Sequence, residues 1–244
     1  MKKLLLLLIS LSFLGCSSIN VGDTFSSLEL EDAMSSEDET QRILALGLTY
    51  EENLKEASKL SPHLASVVSL KLTNARDKKI QNEIDLIESQ KLAELVKISN
   101  NGLSIIGSEQ SEINETNILE TDFDSQSYYL KGIKNVDTGN ISHQLHIAVV
   151  HNSKNKREYS SAVLCDGWGR CEDNNQELIA KSVTASNCST NSCDFEEVME
   201  LNLSSDFLKE KINDGFSMRL ISKRKNHKIK ISAPYLMSYL SLAK

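Results

Sequence analysis

Two imidazoles three residues apart, His143 and His146, are the closest pair among the five histidines, which stand at 63, 143, 146, 151 and 227. Such a pair serves one metal ion only if both rings share a face. The apolar residues of 141–150 recur with period two, so the segment reads as a strand and its two rings point to opposite faces. No Gly-x-Ser-x-Gly, no His-Glu-x-x-His, no phosphate-binding glycine loop and no dinucleotide fingerprint is present, so no nucleophile, metal or cofactor site is expected. Acid pairs such as Glu196–Glu197, or Asp122 with Asp124, are common on protein surfaces and do not by themselves define a glycosidase.

Chemistry of another kind is written at the amino terminus. Lys2 and Lys3 precede an apolar stretch, Leu4–Leu14, and then Gly15–Cys16, the basic, apolar, small-residue order of a secretory leader. At roughly 1.5 Å per residue the stretch spans only about half of the roughly 30 Å hydrocarbon core, too little for a permanent membrane helix. Ser12-Phe13-Leu14-Gly15-Cys16 resembles the lipobox of bacterial lipoproteins. That resemblance covers the first 17 or so residues and implies removal of residues 1–15, diacylglycerol on the Cys16 thiol and palmitate-type acylation of the mature terminus. Two or three chains, at about 0.8 kcal/mol per buried methylene, would make attachment effectively permanent. Ser17 in place of Asp after the cysteine resembles the enterobacterial pattern for sorting to the outer membrane, facing the periplasm.

Cys165, Cys171, Cys188 and Cys193 form a cluster of even number within 29 residues. In an oxidising compartment these are expected to form two disulfides rather than a zinc site, whose Cys-x-x-Cys knuckles are missing. Of the three pairings, the local ones, Cys165–Cys171 and Cys188–Cys193, are preferred because each brackets a turn-rich insert. The first insert, Asp166-Gly167-Trp168-Gly169-Arg170, carries the chain's one tryptophan next to glycine. Trp168 and Arg170 are binding candidates, since such side chains are enriched at interaction hot spots; the alternative is that the ring folds back to cover an end of the body.

A second binding candidate is the basic stretch Lys223-Arg224-Lys225-Asn226-His227-Lys228-Ile229-Lys230, which opposes the sign of the whole molecule. The full chain has a formal charge of −7; loss of Lys2 and Lys3 with the leader leaves 25 basic against 34 acidic side chains, or −9. That balance argues against nucleic acid as a partner. A local basic tip suits lipopolysaccharide phosphates, peptidoglycan carboxylates or an acidic protein. Its alternative is a solvated hairpin whose lysines discourage edge pairing.

These residues need elements to hold them. Residues 16–35, rich in Ser, Asp and Glu, read as a lipidated flexible tether. Residues 36–100 read as helical. Ser36-Glu37-Asp38-Glu39 and Thr49-Tyr50-Glu51-Glu52 are start signals, Pro62 opens a third helix, and Ile80, Ile84, Ile87, Leu92, Leu95 and Ile98 recur by threes and fours. Val68, Leu70 and Leu72 alternate as a strand would. After Asn100-Asn101-Gly102 the pattern changes. Residues 109–124 read as a polar loop, and period-two runs follow at 128–133, 141–150, 159–164, 178–185 and 198–203. Ser204 caps a short helix. A hairpin joins Phe216, Met218 and Leu220 to Ile229, Ile231 and Ala233, and Pro234 opens a final apolar helix.

The fold expected is α+β: an N-terminal helical region, then an antiparallel β-sandwich-like domain over 101–244 with two short helices near its end. The function expected is that of a non-enzymatic envelope lipoprotein, held by its lipid anchor, whose β domain binds an envelope protein or cell-wall glycan. An enzyme acting on envelope glycan or peptide is one alternative, its catalytic residues converging only in three dimensions. An accessory or pilot lipoprotein of a secretion or surface-assembly machine, docking through the helical stripe, is another.

Overall fold

The structure, a computed structural model, describes residues 35–114, 124–165, 170–171 and 175–243. The lipidation candidate Cys16 and the binding candidate Trp168 lie outside the described residues. Both helices and antiparallel sheets are present, so the chain is α+β. It divides into two compact units, Met1–Lys79 and Ile80–Lys244.

In the first unit the described residues are helical: α1 over 35–44, α2 over Tyr50–Ala57, and the first half of α3, which runs Pro62–Ala93. Thr49 and Glu52 close a reciprocal capping box at the start of α2, each satisfying an amide that the helix leaves unpaired. Ile43, Ala57, Val68 and Leu72 form a small buried cluster. Arg76 lies over the Tyr50 ring at 4.2 Å, and the Tyr50 hydroxyl meets Thr73 Oγ1 at 2.8 Å. The alternation at Val68, Leu70 and Leu72 is thus not a strand. Val68 and Leu72 are one helical turn apart and buried, whereas Leu70 points outward, the geometry of positions i and i+4 on one helix face.

The second unit holds two antiparallel sheets. The larger has seven strands: β1 (Lys97–Ile98), β2 (Ser104–Ile106), β3 (Gln110–Asn114), β4 (Asp124–Lys134), β5 (Ile141–Ser153), β8 (Ile179–Ser186) and β9 (Cys193–Leu203). Their order is β1-β2-β4-β5-β9-β8, with β3 also pairing β4. The smaller sheet orders β11 (His227–Ile231), β10 (Phe216–Ile221), β6 (Ser161–Cys165) and β7 (Gln176–Glu177). Two helices, α4 (Ser205–Glu210) and α5 (Ala233–Leu242), complete it.

Strict alternation explains the burial. Tyr128 and Leu130 on β4, Leu145, Ile147 and Val149 on β5, and Met199, Leu201 and Leu203 on β9 all face one way. They share a single buried cluster with Met218, Leu220, Ile229 and Ile231 of the smaller sheet and with Tyr235, Leu236 and Tyr239 of α5. Burying such side chains contributes about 1.5–3 kcal/mol each.

The final helix docks through its phenols as well as its carbon. The Tyr235 hydroxyl accepts from the Leu130 amide at 2.7 Å, and the Tyr128 hydroxyl donates to the Lys230 carbonyl at 2.8 Å. Gly107 and Gly132 make room for the phenols of α5: a Cβ at either would sit 2.6 Å from the hydroxyl of Tyr235 or Tyr239, respectively, so the ring would have to shift.

Two further expectations need correction. The third helix ends at Ala93, so Ile98 belongs not to its stripe but to β1, paired with Ile105. Residues 109–124 are not wholly a loop, because Gln110–Asn114 pairs with Asp124–Tyr128 as β3. Its composition is polar because it lies at the sheet's edge, where backbone pairing rather than burial specifies the strand.

Candidate functional site

Both local disulfides are present, Cys165–Cys171 and Cys188–Cys193. The first ties the end of β6 to residue 171, with Arg170 exposed beside it; the second closes the turn between β8 and β9.

The basic hairpin divides into two halves with different surroundings. Lys225 turns toward the body, its Nζ 3.2 Å from Asp124, while Lys223 makes an exposed pair with Glu158 at 3.2 Å. The turn itself is built by Ser222, whose Oγ accepts from the amides of Arg224 and Lys225 and donates to the Lys225 carbonyl. Arg224 projects into solvent. Beyond the turn, β11 alternates buried and exposed residues, so His227, Ile229 and Ile231 face the core and Lys228 and Lys230 face out. Those two lysines line a cleft of about 510 Å³ with Lys211, Ser217 and Cys165, bordered by Glu210 and Asp214. Lys211 was not among the binding candidates, because it follows a helix remote in sequence from the hairpin.

A second constellation corrects the reading of two acids as surface residues: Asp124 and Glu197 are both buried. The inward stripes that form the core turn polar at one end: Asp124 and Gln126 on β4, His151 on β5 and Glu197 on β9 are all buried. Arg157 grips Asp124 with two bonds, Nη2 to Oδ1 at 2.7 Å and Nη1 to Oδ2 at 3.0 Å, and also reaches the Tyr159 hydroxyl. Burial works to raise the Asp124 carboxyl, but the hydrogen bonds and charges of Arg157 and Lys225 prevail and hold it below the usual range. Glu197 is likewise lowered: burial opposes its ionised form, but His151 and the amides of Arg157 and Glu158 outweigh it. Those two amides fix a turn in which Glu158 adopts φ 60°, a left-handed conformation that needs such support. His227 hydrogen-bonds Gln126, and Gln126 in turn donates to Glu112. Each of these groups is hydrogen-bonded to another member of the cluster or to a neighbouring amide. Period-two alternation running from Leu145 into His151, and from Leu201 back to Glu197, is the signal that these polar residues face inward.

His143 joins Tyr239 (Nδ1 to Oη, 2.8 Å) and Ser205 (Nε2 to Oγ, 3.0 Å). The chain Tyr239–His143–Ser205 therefore pins α5 and α4 to β5. As alternation requires, His146 lies on the other face, stacked on Tyr129.

Along the second half of α3, Ile80, Ile84 and Ile87 are about half exposed, whereas Leu92 packs against the core. Among the described residues no three His, Cys, Asp or Glu side chains converge as a metal site, and no helix is long and apolar enough to cross a membrane. Comparison with known proteins finds no matching family, no similar curated protein and no similar solved structure.

Proposed function

We propose that the protein is a non-enzymatic lipoprotein of the bacterial outer membrane, facing the periplasm, that binds an anionic component of the envelope through the outward face of its smaller sheet. The observation that carries the binding half is a cleft lined by Lys211, Lys228 and Lys230 on an otherwise acidic protein, with Lys211 paired to Glu210 at 2.8 Å. Clustered ammonium groups raise the local concentration of carboxylate- or phosphate-bearing polymers and are screened by salt. The export half draws on the leader, on Cys16 and on two disulfides, bonds that persist outside a reducing cytoplasm. The two sheets, which contribute to one apolar cluster, are proposed to stack as a sandwich that presents the cleft.

Cosedimentation of the lipidated protein with isolated peptidoglycan sacculi tests the binding. The triple variant Lys211→Glu/Lys228→Glu/Lys230→Glu is expected to lose at least about tenfold in affinity, and wild-type binding is expected to weaken as salt rises. Equal binding by wild type and variant would remove the cleft from the reading. Anchoring is tested separately: metabolic labelling with a fatty-acid probe is expected to disappear on Cys16→Ser, and undiminished label would overturn it.

A second reading, an accessory lipoprotein of a surface-assembly machine, is favoured by the exposed Ile80, Ile84 and Ile87, whose spacing suits an apolar helix of a partner.

A further inference from the structure

β8 ends the seven-stranded sheet. It pairs with β9 on one side and, among the described residues, with no strand on the other. All eight of its residues are exposed, unlike those of β9 beside it and of β5 and β4 further along the sheet. Pairing sets Val183 opposite Glu197 and Ala185 opposite Phe195. Because Glu197 and Met199 face inward, Val183 lies on the core-facing side of the sheet, yet it is 45% exposed. The sheet's edge thus presents both an unpaired backbone row and uncovered carbon.

Edge strands are normally blunted by charge, proline, bulges or a covering element. Here the guards sit at one end only. A register shift falls between Ala180 and Ser182, and Lys181 there is drawn to Glu200 at 2.7 Å. From Ser182 to Ser186 there is no charge and no proline. The adjoining turn is closed by Cys188–Cys193, which holds this unguarded stretch extended at the end of its hairpin.

We propose that Ser182–Ser186 pairs antiparallel with the same segment of a second copy of this chain, joining two seven-stranded sheets edge to edge across a two-fold axis. The segment is self-complementary in the register centred on Thr184, which uses all five residues. Val183 then lies opposite the partner's Ala185, Ser182 opposite the partner's Ser186, and Thr184 opposite the partner's Thr184. Apolar side chains meet apolar ones on one face and hydroxyls meet hydroxyls on the other, the pairings that stabilise antiparallel strands. No charge is buried or opposed. Such an isologous contact closes at two copies, so it extends the sheet without making a fibre.

Sedimentation velocity of the full lipidated chain in detergent is expected to show a dimer, and Val183→Lys/Ala185→Lys to weaken it at least about tenfold by setting lysines opposite lysines. Both positions are exposed, so an unchanged thermal melt is expected alongside. Thr184→Cys provides an independent reading. In the centred register the two Cα atoms lie about 4.5–5.5 Å apart, a span that a disulfide bridges, so mild oxidation is expected to give a covalent dimer on a non-reducing gel. A wild-type chain that stays monomeric, or a dimer indifferent to the two lysines, overturns the proposal. The latter result would place the contact elsewhere on the molecule.

Discussion

Asp124→Ala is expected to lower the stability of the folded chain by about 3–5 kcal/mol, the magnitude seen when one member of a buried ion pair is removed. The reason is what the substitution leaves behind. The Arg157 and Asp124 side chains are 4% and 2% exposed, and without the carboxylate the guanidinium keeps only the Tyr159 hydroxyl at 3.2 Å and cannot lose its charge. The converse change, Arg157→Met, is expected to do less harm, because Asp124 retains the Lys225 ammonium at 3.2 Å. Replacing both together, Asp124→Leu with Arg157→Met, is expected to recover most of the loss, since no charge is then stranded. Urea unfolding with the disulfides intact checks all three. An Asp124→Ala chain within about 0.5 kcal/mol of wild type, the range of an ordinary surface substitution, would show that the pair is not buried as described.

Acidification from neutral pH should weaken the protein well before its carboxylates titrate. His227 is held neutral by burial, its pKa lowered to about 4, and its Nε2–H donates to Gln126. The unfolded chain takes up that proton near the ordinary value of about 6.5. Between these values the unfolded state binds more protons, so stability is full above roughly pH 6.5 and falls as pH drops toward 4. The shift corresponds to about 3 kcal/mol over the window. Asp124 and Glu197, whose carboxyls are lowered, contribute in the other window, below their unfolded values near 4, so the two effects separate on the pH axis. His227→Gln keeps a neutral donor and removes the titration. Its urea midpoint is expected to change far less between pH 6.5 and 4 than that of wild type. A wild-type profile flat across that range would mean the ring is protonated in the folded state.

The parts of this fold that could be read from the amino-acid sequence are those whose partners lie nearby in the chain. The hairpin of β10 and β11 follows from alternating carbon around a polar turn, and its register matches Met218 with Ile229. The Thr49 capping box, the Pro234 start of α5 and the two short-range disulfides are local in the same sense. What was illegible depends on distant pairing. β3 is polar and becomes a strand only because β4 supplies an edge for it. Val68 and Leu72 suit a period of two as well as one of 3.6, and only packing against Ile43 and Ala57 decides between them. The cationic cleft joins the residue after α4 to β11. The buried polar end draws one residue or two from each of β4, β5, β9, β11 and the segment around Arg157, so no window of sequence contains it.

The bonds that fasten β4 and β5 to the last part of the chain bridge long stretches of it. Tyr128 reaches a residue 102 positions ahead, Leu130 one 105 ahead, Gln126 one 101 ahead, and His143 one 96 ahead. Contacts of such sequence separation form late, since the entropy of closing each loop must be overcome before any contact rewards it. A nascent chain therefore cannot seal its interior until roughly another hundred residues have followed the central strands. For a polypeptide exported by the leader proposed above, that delay would be an asset: a translocation channel would receive a thread that has not yet knit itself shut.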